Sequence, residues 1–134
     1  MGNILQFRSA QPKDSLRLRE ITRDNGGELT NWFKKNVAAL ARFRIRVAHL
    51  RKMERTDWNW KQFHKLDDGL AEIKWESGKK QFRVIGFDHQ DAFLMLIGCC
   101  HKDDIYDPPS CLVTAKRLKK EVENDEWNTR IFDT

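Results

Sequence analysis

The stretch from Leu66 to Asp104, LDDGLAEIKWESGKKQFRVIGFDHQDAFLMLIGCCHKDD, constrains the fold more than any other part of the chain. Runs of apolar and β-branched residues alternate in it with turn-forming residues, which is the pattern of consecutive strands. The predicted strands are Leu70 to Glu76, Gln81 to Phe87 and Ala92 to Cys100, separated by Ser77-Gly78 and by Asp88 to Asp91. Connections this short place neighbouring strands antiparallel, and the apolar third strand is expected to be central and buried on both faces.

Helices are predicted on both sides of this stretch in the chain. Residues Leu29 to Met53 contain no Gly or Pro, and their apolar side chains recur at steps of three and four, with Asn36 as a possible cap of a second helix. Pro108-Pro109-Ser110 can begin a last helix. The buried positions predicted for that helix are Cys111, Ala115, Leu118 and Val122.

The predicted fold class is α+β. Leu16 to Ile21 partly alternates apolar and charged residues, as a half-buried first strand would. We expect an antiparallel sheet with two N-terminal helices packed on it and a C-terminal helix, all helices lying on one side. The predicted divisions are an N-terminal extension at 1–15, one domain at 16–124 and a C-terminal tail at 125–134.

The composition argues against a membrane protein, a secreted protein and a disulfide-rich protein. The longest apolar run, Ala92 to Cys100, is about half as long as a membrane helix, and the N-terminus lacks the apolar stretch of a secretory signal, so we expect a cytoplasmic protein. Three cysteines argue against a disulfide framework. Neighbouring Cys99 and Cys100 would point to opposite faces of a strand, so no metal site and no cofactor are predicted.

The positive charge is concentrated in one segment. The net charge of the chain is +5, yet Leu29 to Lys65 holds ten Lys or Arg and two acids, a balance of +8. The remainder of the chain is therefore −3. Such a block indicates a polyanion or an acidic partner, although a solvated helix face would have the same composition.

Motifs in this order resemble those of the RelE/ParE superfamily, and more closely those of the phage-derived Gp49-like, HigB-type toxins. The first shared strand is represented by Lys65, Leu66, Gly69, Leu70, Glu72, Ile73 and Lys74, and the second by Phe82, Arg83 and Val84. The basic strand end is represented by His101 and Lys102, and the last helix by Pro109, Ala115, Lys116, Arg117 and Leu118. The resemblance spans roughly residues 16–122.

The resemblance implies a toxin of a toxin–antitoxin pair that cleaves mRNA, usually on the ribosome, and is neutralised by a small antitoxin, often a helix-turn-helix protein. The implied reaction is transesterification, in which the ribose 2′-OH attacks the adjacent phosphate. It needs no metal, but it needs cations at the phosphate, a base and an acid. The expected partners are therefore mRNA, the ribosome and the antitoxin in a toxin–antitoxin hetero-oligomer, without a membrane.

Three residues are the predicted catalytic groups: Arg83, His101 and Tyr106. Arg83 lies in a strand among apolar residues, and a buried Arg needs an anionic partner, which is either the scissile phosphate or an acid on the neighbouring strand, Glu72 or Glu76. A histidine can transfer protons near neutral pH. Unlike the resembling toxins, this chain follows His101 with an acidic loop at 103–107, which would repel RNA or supply a base.

Four further residues are predicted to bind RNA phosphates: Lys65, Lys74, Lys102 and His64. Trp58, Trp60 and Phe63 could stack on unpaired bases or could instead cover the core. Two alternatives to the nuclease stay open. One is a RelE-like domain without catalysis that binds RNA, the ribosome or a protein, and the other is a ParE-type poison of DNA gyrase.

Overall fold

The computed structural model describes residues 16–24 and 26–133, so the predicted extension at 1–15 lies outside the described residues. Its helices are α1 (Glu28–Lys35), α2 (Val37–Arg51) and α3 (Cys111–Glu123). Its strands are β1 (Leu18–Thr22), β2 (Phe63–Lys65), β3 (Ala71–Ser77), β4 (Lys80–His89), β5 (Ala92–Lys102), β6 (Ile105–Asp107) and β7 (Asn128–Ile131). None of the helices in these ranges is long and apolar enough to cross a membrane.

The seven strands form one mixed sheet in the order β2-β3-β4-β5-β1-β7, with β6 paired to β5. The β3-β4-β5 meander is antiparallel, as predicted, but β1 runs parallel to β5. The expectation of an antiparallel sheet was therefore correct only in part. Short turns fix the pairing inside the meander, whereas β1 reaches β5 across more than 70 residues, where periodicity carries no pairing information.

The helices cover both faces of the sheet, which corrects the prediction that they lie on one side. Phe33 of α1 and Phe43 of α2 pack with Val84 in one core cluster. Leu118 of α3 packs with Ile85 in a second cluster. Because Val84 and Ile85 are neighbours on β4, the two clusters lie on opposite faces of the sheet. The helices α1 and α2 also follow β1 in the chain, so they lie in mid-chain rather than at the N-terminus.

Several local predictions are confirmed. Helix α3 buries all four predicted positions, and β5 is buried on both of its faces. Asn36 lies between α1 and α2 as expected, although its side chain caps no backbone N–H of α2; its amide donates a hydrogen bond to the carbonyl oxygen of Trp32. Gly78 adopts a left-handed conformation (φ +63°) in the tight turn between β3 and β4, as the predicted turn requires.

The chain after Asn124 returns to the sheet. Strand β7 pairs antiparallel with β1, and Phe132 is buried in the first cluster. Arg130 forms an ion pair with Glu20, whose side chain is 1% exposed and also accepts hydrogen bonds from Thr30. These contacts make the last residues of the described chain a structural edge of the sheet.

Candidate functional site

A bulge in β5 determines which side chains meet at the site. Ile85 pairs with Ile97 and Gly86 pairs with Met95, so Leu96 is an extra residue on β5. A bulged residue reverses the alternation of side chains that follow it. Ile97 and Cys99, at odd-numbered positions after the bulge, therefore face the α3 side, whereas the odd-numbered Met95 before it faces the α1–α2 side. His101 is turned by this bulge onto the face that Arg83 occupies.

On this face the three predicted catalytic residues come together. Arg83 on β4 lies opposite Cys99, and Gln81 lies opposite His101, which in turn pairs with Tyr106 on β6. The ring centroids of His101 and Tyr106 are 5.0 Å apart, in an edge-to-face arrangement. Strands β4, β5 and β6 thus bring a guanidinium, an imidazole and a phenol into one cluster.

Arg83 is buried and has an internal anionic partner. Its Nε atom lies 3.2 Å from Glu72 Oε1 on β3, and the two side chains are only 7% and 4% exposed. The Nε–H is not aligned for a hydrogen bond, so the contact is an ion pair in which that donor is unsatisfied. Of the two partners predicted for Arg83, the neighbouring-strand acid Glu72 is the one in contact with it.

The two outer nitrogens of the Arg83 guanidinium contact uncharged groups. Its Nη1 donates to the backbone carbonyl oxygen of Phe82 at 2.8 Å, and its Nη2 donates to Gln81 Oε1 at 3.1 Å. Nη2 also lies 3.4 Å from His101 Nδ1. Because Gln81 is exposed and His101 is half-buried, Nη2 is the part of the guanidinium closest to solvent-facing groups.

The contact with Arg83 determines the protonation of His101. An arginine can only donate hydrogen bonds, so His101 Nδ1 must be the acceptor and Nε2 must hold the proton of the neutral ring. Burial and then the Arg83 cation lower the pKa of His101 from its ordinary value. Both effects favour the neutral imidazole, with the lone pair of Nδ1 directed at Arg83.

Tyr106 is held in its protonated form. Its hydroxyl donates a short hydrogen bond to Glu72 Oε2, the carboxylate oxygen that does not contact Arg83. Burial, and then this hydrogen bond and the charge of Glu72, raise the pKa of Tyr106 well above its ordinary range. Tyr106 therefore keeps its proton at neutral pH, and that proton is shared with Glu72. Glu72 joins Arg83 and Tyr106, and it holds both in place.

A positively charged hollow of about 620 Å³ adjoins this cluster. Gln81 and Arg83 line it from β4, and residues of α2 and of the connector before β2 line its other walls. Glu76 is the one acid among the described residues that line it. The cations that line it are Arg42, Arg46, Lys61, Lys74 and Arg83. Its size and charge suit a nucleotide and its phosphates.

The predicted phosphate-binding residues do not all reach this hollow. Lys74 lines it, and burial lowers the pKa of its ammonium group. His64 is exposed, with its ring 6.4 Å from that of Trp60 at the rim. Lys65 lines a different hollow, near Arg55, and Lys102 is exposed at the end of β5 without lining this one.

The acidic loop forms a tight turn beside the cluster. Asp103 and Asp104 have left-handed backbone conformations (φ +52° and +65°) and connect β5 to the short strand β6. Aspartate tolerates this conformation well, so a turn-forming role accounts for both residues. Residues 103–107 were interpreted as an acidic loop, so β6, the strand that carries Tyr106 to His101, was not predicted.

Sequence reasoning missed the basic residues of α2 as part of the site. Arg42 and Arg46 were counted only within the basic segment, because helical spacing alone cannot show which sheet edge a helix overlies. The Nε of Arg46 donates to the backbone carbonyl oxygen of Lys74, so α2 is tied directly to β3 at the hollow. Gln81 also went unrecognised, although its position two residues before Arg83 on one strand face was a usable signal.

No protein-family model matches the chain, and neither the curated proteins nor the solved structures include a significant match. The resemblance to RelE-like toxins therefore depends on the motifs alone.

Proposed function

We propose that this protein is a RelE-like toxin that cleaves RNA by metal-independent transesterification and so inhibits translation. The single observation that supports this proposal is the convergence of Arg83, His101 and Tyr106, of which Arg83 lines the cationic hollow. These residues come from three different strands. The proposal places the protein in the cytoplasm, with mRNA, the ribosome and a small antitoxin as partners.

Each group has a role in the proposed reaction. The 2′-oxygen forms a bond to phosphorus while the bond from phosphorus to the 5′-oxygen breaks, which leaves a 2′,3′-cyclic phosphate. His101 Nδ1 accepts the proton of the 2′-OH, and the Tyr106 hydroxyl exchanges its hydrogen bond to Glu72 for one to the leaving 5′-oxygen, to which it gives its proton. Arg83 stabilises the charge that develops on the phosphorane. Water then returns a proton to Tyr106 and removes one from His101.

The ion pair between Arg83 and Glu72 fits this proposal if the phosphate takes only the outer end of the guanidinium. Nη2 would exchange Gln81 and His101 for a phosphate oxygen, while Nε stays beside Glu72. That exchange also releases the lone pair of His101 Nδ1. Binding of the phosphate and exposure of the base are then one event.

The test uses purified protein and two 5′-labelled oligonucleotides, an RNA and the same sequence with 2′-deoxyribose throughout. We expect cleavage of the RNA only, with 2′,3′-cyclic phosphate ends, because the attacking hydroxyl is absent from the deoxy strand. His101→Gln should slow cleavage about 10²- to 10⁴-fold. The assay is repeated on mRNA in the presence of ribosomes. Intact RNA in both assays would contradict the proposal.

A second candidate function is the binding of RNA or ribosome without cleavage. The specific observation in its favour is that Arg83 already has Glu72 as a buried counter-ion, so its charge is compensated without a ligand. This candidate predicts that RNA binds but that no new ends appear with or without ribosomes.

Co-expression with the protein encoded by the neighbouring reading frame tests the antitoxin of the toxin proposal. If that protein is the antitoxin, growth inhibition should disappear.

A further inference from the structure

We propose that Trp60 is a stacking platform for an unpaired RNA base at the rim of the cationic hollow. This inference deepens the proposed function and rests on it, because it assigns a base-binding site beside the phosphate-binding one. Trp60 is 62% exposed, whereas the other four tryptophans are buried or half-buried. The exposed ring adds little to the core, and beside a charged hollow it presents a flat aromatic face of the kind on which bases stack.

The surroundings of Trp60 are those of a nucleic-acid contact. The ammonium group of Lys74 lies 4.8 Å from the centroid of the ring, and that of Lys61 lies 5.9 Å from it. Lys61 and Lys74 also line the hollow. A phosphate bound in the hollow therefore places the base of the same or the next nucleotide within reach of the ring. Aromatic rings beside cations are the usual means of binding single strands.

The backbone fixes the platform in place. Lys74 Nζ donates to the carbonyl oxygen of Trp60 at 3.4 Å, and the backbone N–H of Lys74 donates to the carbonyl oxygen of Gln62 at 2.8 Å. Two residues from Trp60, Trp58 packs against the first core cluster and its indole N–H donates to the carbonyl oxygen of Leu50. Within the connector, Trp58 therefore covers the core, whereas Trp60 is exposed to solvent. Of the aromatics predicted to stack on bases, Trp60 is the one that is free to do so.

The experiment compares two fluorescein-labelled probes by anisotropy at low salt. One is a ten-nucleotide 2′-O-methyl RNA, which cannot be cleaved, and the other has abasic sites at its four central positions. Stacking is worth about 5- to 150-fold in affinity per base, so Trp60→Ala should weaken binding of the first probe by such a factor. The same variant should bind the abasic probe as the wild type does. Trp60→Phe should restore most of the lost affinity.

Ile131→Ala is the matched control, because it removes an exposed apolar side chain at the opposite edge of the sheet. It should bind both probes like the wild type. An equal loss on both probes, or no loss on either, would overturn the stacking site. If the wild type binds and cleaves RNA while Trp60→Ala binds it equally well, the stacking site alone is wrong. If the wild type binds neither probe, the proposed RNA function fails as well.

Discussion

At the scale of single residues, Glu72 organises the site although it is almost wholly buried. Its two carboxylate oxygens contact different groups, Arg83 on one side and the Tyr106 hydroxyl on the other. A buried carboxylate with a cation and a hydroxyl donor is a compensated arrangement, but the removal of one partner leaves an uncompensated charge. Substitutions at this cluster therefore report on folding as well as on function.

Arg83→Ala is expected to destabilise the fold rather than only to inactivate the protein. The variant leaves the buried Glu72 carboxylate without its counter-ion, which should lower the free energy of unfolding by about 3–5 kcal/mol. The double variant Glu72→Gln/Arg83→Gln removes both charges and should recover most of that loss. Urea denaturation of the two variants checks this expectation. A double variant less stable than Arg83→Ala would show that the ion pair does not determine stability here.

The cleavage rate should fall on the acidic side of neutrality, because His101 acts as a base only when it is unprotonated. Burial and Arg83 lower its pKa, so the midpoint of the fall should lie below the ordinary value of 6.5. Glu72 and Asp104 oppose this shift, and Lys74 adds to it. A pH–rate profile measured from pH 4.5 to 8 tests the prediction. His101→Gln should remove the acidic limb, and an unchanged limb would assign it to another group.

At the scale of elements, the sequence predicts site features within one strand, but not which face of the sheet residues on different strands share. Arg83 and His101 could be identified from their strands, since a charge among apolar residues and a basic strand end are visible in the sequence. Their position on the same face of the sheet could not be predicted, because strict alternation would place His101 on the face of Met95. The extra residue Leu96 reverses this, and its one signal in the sequence, Gly86 at the register shift on β4, marks a bulge without showing which strand carries the extra residue.

Helix α1 meets the sheet at a glycine, and this contact can be tested directly. A β-carbon on Gly98 of β5 would lie 2.4 Å from the ring of Trp32 on α1. Gly98→Ala should therefore force the helix or the ring to move and lower the stability by about 1–3 kcal/mol. The measurement is thermal or urea unfolding. Trp32→Leu opens space at the ring, so Gly98→Ala should cost less in that background, and an equal cost would contradict the clash.

At the scale of the whole molecule, the basic segment at 29–65 contributes to the wall of the hollow. Part of the basic segment lines the hollow beside β3 and β4, since Arg42, Arg46 and Lys61 belong to both. The fold class and the antiparallel meander followed from the sequence, since turns of two to four residues fix local pairing. The parallel pairing of β1 and the addition of β7 did not, because each joins segments about 70 to 110 residues apart.

RNA binding should depend on salt in proportion to the cations of the hollow. Arg83 is left out of the count because Glu72 already neutralises its charge, and the other four cations predict a slope of about −3 in a plot of log affinity against log salt concentration. Titrations of the uncleavable RNA between 50 and 300 mM salt, a range of about sixfold, measure this slope. Arg42→Gln should reduce the slope by about 0.7. A flat response would assign the hollow to an uncharged ligand.

The position of β7 late in the chain has a consequence for folding during synthesis. Strand β1 is among the first parts of the described chain to be synthesised, yet its outer edge and the Glu20 carboxylate receive their neighbours only when residues 128–132 have been made. Until then the nascent chain has an open sheet edge and an unneutralised acid in its interior. The edge of the sheet beside β1 can therefore be completed only after residues 128–132 have been synthesised, and every contact that depends on this edge must wait for them.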